Sequence, residues 1–154
     1  MIFLECDNDE ALLRGLGIPR SRLGHHAGKP RVAKALKITT FAGAIGLVDQ
    51  DPGAVSHPYL AEFQRIDERP ELGLARSKHR TQDKWLIEIC PDLEPWLYEA
   101  ARQKGIRPKE FHLPENHSLL HSHSKAHAAK VRQFVAQLVY CGCPRMKTLG
   151  DWLA

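Results

Sequence analysis

Ala44-Ile45-Gly46-Leu47-Val48-Asp49-Gln50-Asp51-Pro52-Gly53 is an apolar run of strand length that ends in two aspartates separated by one residue, followed by a Pro-Gly turn. A continuous apolar run bounded by a turn signal is the pattern of a strand buried on both faces. Ligands of open α/β sheets gather beyond the carboxyl ends of such strands. Asp49 and Asp51 therefore fall where chemistry is usually done, and two carboxylates so close repel each other unless a cation lies between them. The pattern predicts a magnesium site whose remaining ligands come from elsewhere in the chain.

Working outward, Ile2-Phe3-Leu4 is a short apolar strand with Glu5 at its carboxyl end. Asp7 opens a helix running to about Leu16, with Asp7 and Glu10 as a pair resembling a capping box and Gly17 and Pro19 as its stop. Arg22 to His26 is a candidate second strand. Gly28-Lys29-Pro30 begins a small basic helix, with Arg31, Lys34 and Lys37 following. Beyond Gly53, Pro58 starts a predicted helical stretch with Tyr59, Leu60, Phe63 and Ile66 as its apolar face. Leu72 to Ser77 is a predicted strand followed by a basic loop, Lys78-His79-Arg80, and Trp85 to Ile89 is another strand. Leu93, Trp96, Leu97, Ala100 and Ala101 form a helical stripe that Gly105 ends. Phe111 to Leu113 is a candidate short strand. Val131, Phe134, Val135, Leu138 and Val139 repeat the stripe, and Met146, Leu149, Trp152 and Leu153 mark a last packing helix. Strands alternating with helices predict βα units and a mostly parallel central sheet of four to five strands flanked by helices.

A chain of 154 residues suits a single domain over 1–154, with its core motifs in 1–100 and a C-terminal helical portion in 115–154. The formal charge of +4, with nine histidines in reserve, favours an anionic partner such as nucleic acid. Lys29, Arg31, Lys34, Lys78 and Arg80 are the residues predicted to track its phosphates. No apolar run approaches the roughly 20 residues of a membrane span, and the N-terminus lacks the basic flank and cleavage site of a signal peptide. The four cysteines, at 6, 90, 141 and 143, form no disulfide framework, which predicts reduced thiols and a cytoplasmic location. Cys141-Gly142-Cys143 has no second pair at zinc spacing. His123 and His127 share a helix face, with His121 nearby, but the acid of a His-Glu-x-x-His zinc motif is missing between them.

The first and third predicted strands thus both end in acid. Neighbouring parallel strands lie about 4.8 Å apart, so Glu5, Asp49 and Asp51 are able to share an ion. Magnesium takes oxygen ligands and keeps several waters, so two or three carboxylates suffice.

A strand ending in Glu, a βα unit, and an apolar strand ending in Asp-x-Asp together resemble a Toprim domain, the Rossmann-like metal-binding module of topoisomerases, bacterial primases and the overcoming-lysogenisation-defect nucleases. The likeness covers Met1 to Gly53, departing at Glu5-Cys6, where Toprim domains commonly have Glu-Gly. The nuclease branch adds an acid four residues after the first Glu, which corresponds to Asp9. It also carries a later Glu that opens a helix, which corresponds to Glu94 in Asp92-Leu93-Glu94-Pro95-Trp96-Leu97. A later lysine usually completes the site; Lys125 is the candidate, with Lys130 close behind.

What the resemblance implies is a nuclease that hydrolyses DNA or RNA phosphodiesters with two magnesium or manganese ions. Glu5, Asp9, Asp49, Asp51 and Glu94 would be the metal ligands. Glu5, Asp49, Asp51 and Lys125 would be catalytic, the lysine by stabilising charge on the phosphate. Nucleases resembling this one often work beside an ABC-type or chromosome-maintenance-type ATPase, sometimes in antiviral defence. The chain has no G-x-x-x-x-G-K-[ST], so such an ATPase would be a separate subunit. Two alternatives stay open. A phosphatase of the haloacid-dehalogenase type also places Asp-x-Asp after an apolar strand, although usually its first. An interaction subunit with a vestigial or conditionally active metal site is the other.

Overall fold

The computed structural model describes the backbone of residues 1–154 and every side chain except that of Ser124. The protein is α/β. Its strands are β1 (Ile2–Leu4), β2 (Leu23–His25), β3 (Ala44–Asp49), β4 (Phe63–Arg69), β5 (Leu74–His79) and β6 (Lys84–Ile89). They form one six-stranded sheet in the order β2-β1-β3-β6-β5-β4. Pairing is parallel from β2 through β1 and β3 to β6, and antiparallel from β6 through β5 to β4. The sheet is therefore mixed and larger than the four or five strands expected. The helices are α1 (Asp7–Gly15), α2 (Lys29–Ile38), α3 (Leu93–Gln103), α4 (His117–Ser122), α5 (Ser124–Tyr140) and α6 (Pro144–Leu153).

The chain divides into two compact units that interleave in sequence. One comprises Met1–Cys6 and Ser21–Asp92, the other Asp7–Arg20 and Leu93–Ala154. The first holds the whole sheet and α2. The second is helical.

In the sheet unit, α2 packs on β1 and β3 through Val32, Ala33, Ala35 and Leu36, all buried. Its axis comes close to β3 because residue 46 is glycine. A Cβ there would lie 2.6 Å from Leu36 Cδ1, which would have to shift, and 3.2 Å from Val32 Cγ1, a tight contact. Phe3, Ala44, Val48, Tyr59, Leu60 and Leu86 complete this core. Lys84 closes the far end of α2. It is only 6% exposed, and its ammonium donates to the carbonyls of Leu36 at 2.6 Å and Lys37 at 3.2 Å. Those carbonyls belong to the last turn, where a cation offsets the helix dipole and satisfies acceptors with no intrahelical donor.

Three sequence-based assignments are corrected. The helix expected from Pro58 is one short 3-10 turn, Pro58–Glu62, after which Phe63 and Ile66 lie in β4. Ile66 is 50% exposed there, at an irregularity in the strand between Arg65 and Asp67. The basic loop at Lys78-His79-Arg80 is mostly strand, since β5 extends to His79. His79 is buried there, stacked edge-on against Phe63 at 5.1 Å, and its Nδ1 accepts from the N–H groups of Thr81 and Gln82, both at 3.2 Å. The strand expected over Phe111 to Leu113 is the end of a 3-10 turn, Pro108–Phe111, closed by His112 at φ 58.

In the helical unit, α1 and α5 pack closely. A Cβ on Gly15 would fall 2.5 Å from Val135 Cβ and 2.9 Å from the Arg132 carbonyl. Trp96, Leu97, Val131, Phe134, Leu138, Met146 and Leu149 are buried as the stripes of α3, α5 and α6 predict, and Leu12 of α1 is buried too, whereas Val139 of the expected α5 stripe is 45% exposed. Arg145, also buried, donates to the Trp96 carbonyl at 2.7 Å and lies over the indole at 5.7 Å. Burial lowers its pKa. No helix among the described residues is long and apolar enough to cross a membrane.

Candidate active site

β1 has β2 on one side and β3 on the other, so the strand order reverses between β1 and β3. That is the topological switch point, where crevices open outside the carboxyl ends of parallel strands. Glu5 follows the last residue of β1, and Asp49 is the last residue of β3. The Glu5 Oε1 accepts a hydrogen bond from the Asp49 N–H at 2.9 Å. The backbone N–H of Lys29, the first residue of α2, also donates to this carboxylate. Two strand ends and a helix start are thus tied together through one side chain. Burial is the largest influence on Glu5 and pushes its pKa up; the two N–H groups and the Lys29 charge pull it down, and the Asp51 charge pushes it up again.

Lys29 makes a second set of ties. Its ammonium donates to the main-chain carbonyls of Asp49 at 2.9 Å and Gln50 at 3.0 Å. The chain beyond β3 is held by Gln50 N–H to Ile89 O at 2.8 Å and Asp51 N–H to Pro91 O at 3.2 Å. Asp51 itself stands at φ 46, a left-handed conformation that aspartate tolerates better than most residues. Gly53 follows at φ 109. Asp51 is exposed, whereas Glu5, Lys29 and Asp49 are half-buried.

Of the residues expected to form the site, the structure thus brings Glu5, Asp49 and Lys29 into direct contact and puts Asp51 two residues along. Arg31 and Lys34 are exposed on α2, and Arg80 is exposed just after β5. Lys78 is exposed within β5, its ammonium 4.9 Å from the Trp85 ring centre. Asp9, Glu94 and Lys125 belong to the helical unit. Asp9 and Glu94 are buried, at 3% and 4% exposure, in the first turns of α1 and α3, and Lys125 is exposed in the first turn of α5.

Glu94 has a partner that composition did not point to. Asn8, fully buried, donates its amide to Glu94 Oε1 at 2.9 Å and to the Leu120 carbonyl at 3.3 Å. The Asn8 Oδ1 is buried with no hydrogen-bond partner among the described residues. His121 Nδ1 lies 3.3 Å from the same Glu94 oxygen. The Glu94 charge, secondary to burial, helps push the Tyr98 hydroxyl up to about 12. Asn8 was legible only as the middle of Asp7-Asn8-Asp9, a run equally suited to a helix start.

The oxygen-only donor set of Glu5, Asp49 and Asp51 is the chemistry of a hard cation such as magnesium, which typically takes one or two carboxylates and fills its shell with water and phosphate. Among the described residues, no three His, Cys, Asp or Glu side chains are grouped closely enough to hold an ion by themselves. An ion held by Glu5, Asp49 and Asp51 would have to complete its shell with water or substrate oxygens. Comparison with protein-family models, characterised proteins and solved structures finds no match.

Proposed function

We propose that the chain is a Toprim-type nuclease that hydrolyses nucleic-acid phosphodiesters with magnesium or manganese. The observation that carries the reading is the pairing of Glu5 with Asp49 at the carboxyl ends of adjacent parallel strands, astride the switch point. The parallel run β2-β1-β3-β6 supports it, because a Toprim-like core would need β1 beside β3. A bound metal ion would polarise the scissile phosphate and activate a water. The chain's own part is to orient Glu5 through two backbone N–H groups, to present Asp49 and Asp51 beside it, and to supply positive charge from Lys29. Asp9, Glu94 and Lys125, which the Toprim resemblance would add, belong to the helical unit and carry no part of this reading. A separate ATPase subunit and a place in antiviral defence belong to the same proposal.

Incubating the full chain with labelled DNA and RNA, in magnesium or manganese against chelator, tests this. Cleavage that requires the metal is the expected result. No cleavage of any substrate, or equal cleavage in chelator, would overturn the reading.

A further inference from the structure

We infer that a small polar cavity beside Lys29 in the sheet unit is a phosphate-binding pocket, which places a phosphate of the substrate next to the Glu5–Asp49 pair. The inference deepens the nuclease reading and rests on it for the identity of the substrate, though not for the anion. The cavity has a volume of about 190 Å³ and is lined by Lys29, Ser56, Arg65, Ser77 and Glu88 with an apolar floor of Leu60, Phe63 and Leu86. Water occupies about 30 Å³ in the liquid, so the space holds several waters or one phosphate group with part of its sugar.

Three features favour an anion. An ammonium has three donors, and Lys29 uses two on the carbonyls of Asp49 and Gln50. Those bonds fix the nitrogen in place and leave a donor for a ligand. Arg65 brings a guanidinium, the group best matched to phosphate oxygens. Hydroxyls come from Ser56 and from Ser77, only 4% exposed on β5. The lining thus holds two cations and one carboxylate, with Glu68 paired to Arg65 from outside it.

Glu88 is that carboxylate, and it sets the occupancy of the pocket. Arg65 is ion-paired to Glu88 through Nη2 and to Glu68 through Nη1 at 2.9 Å. A phosphate entering the cavity competes with Glu88 for Arg65 and is repelled by its charge. Glu88 therefore acts as a placeholder anion, weakening affinity for free phosphate and favouring a phosphate delivered as part of a longer strand that binds at other points too.

The test titrates inorganic phosphate, at constant ionic strength and without metal, into the full chain and into Lys29→Met, Arg65→Gln and Glu88→Gln, following amide shifts by NMR and the fold by circular dichroism. Saturable binding is expected, with shifts centred on residues 29, 65 and 77. Lys29→Met and Arg65→Gln should each weaken it about tenfold, the loss of one charge-assisted bond. Glu88→Gln should tighten it severalfold, an outcome that a purely structural role for these side chains does not produce. Absence of saturable binding, or binding that all three substitutions leave unchanged, would overturn the pocket. Phosphate binding in a protein that cleaves no nucleic acid would remove the nuclease reading and keep the pocket. Metal-dependent cleavage by a protein that binds no phosphate would remove the pocket alone.

Discussion

The carboxylate of Glu5 accepts a hydrogen bond from the backbone N–H of Asp49 at 2.9 Å, across the switch point of the sheet. A half-buried acid held by main-chain donors is oriented whatever its charge, since a neutral amide accepts the same bond.

That distinction gives the first prediction. Glu5→Gln keeps the acceptor for Asp49 and removes a charge whose burial is unfavourable, so nuclease activity should fall by at least about 100-fold, on the scale of losing a principal electrostatic group. Stability at pH 7 should not fall. Activity assays beside urea melts check both; a destabilised Glu5→Gln protein would show that the ionised carboxylate is needed by the fold.

The pH dependence has a definite sign. Burial raises the folded-state pKa of Glu5 above the ordinary carboxylate value. Its contribution to stability is therefore fully present below the unfolded pKa and is lost as pH rises through the folded one. In metal-free protein, urea melts across that window should show a falling component that is absent from Glu5→Gln. A component rising with pH at this residue would contradict the burial argument.

Lys84→Met tests how α2 is held. Its ammonium serves the Leu36 and Lys37 carbonyls from a site with 6% exposure. Methionine keeps the volume and leaves both carbonyls short of a donor, a loss of about 2 kcal/mol. Equilibrium unfolding measures it; a change within error would mean that water replaces the lysine.

Gly46→Ala tests the close approach of α2 to β3. The added Cβ would press on Leu36 Cδ1 at 2.6 Å and on Val32. Overpacking of this kind costs about 1–3 kcal/mol, readable as a lower urea midpoint. Because Gly46 is three residues before Asp49, a shifted β3 should also reduce activity.

How much of this was legible in the sequence depends on which interactions define each element. β3 was plain because a strand buried on both faces has no polar position to confuse it, and α3 because its stripe keeps strict helical spacing. β4 was not, since an edge strand of Gln64, Arg65, Asp67, Glu68 and Arg69 carries charge where a buried strand carries apolar residues, and its irregularity breaks the alternation. β5 and β6 were both legible as strands, and what was missed is that the short connection from His79 to Lys84 pairs them antiparallel. The interleaving of two units has no local signature, because α1 lies in sequence between two strands of the sheet yet belongs to the helical unit. At the site, Glu5, Asp49 and Asp51 were legible as strand-end acids. Lys29 was visible only as one member of a basic helix, while Arg65 and Glu88 gave no signal, since their meeting depends on the pairing of β4, β5 and β6.

The nuclease claim is tested most directly by comparing magnesium-dependent cleavage of single-stranded and duplex DNA and RNA by the wild-type chain and Asp49→Ala. Substitution removes the β3 carboxylate and leaves the N–H that Glu5 accepts from, so circular dichroism should be unchanged. The account predicts cleavage reduced by about 100-fold or more. Undiminished cleavage by Asp49→Ala would contradict it.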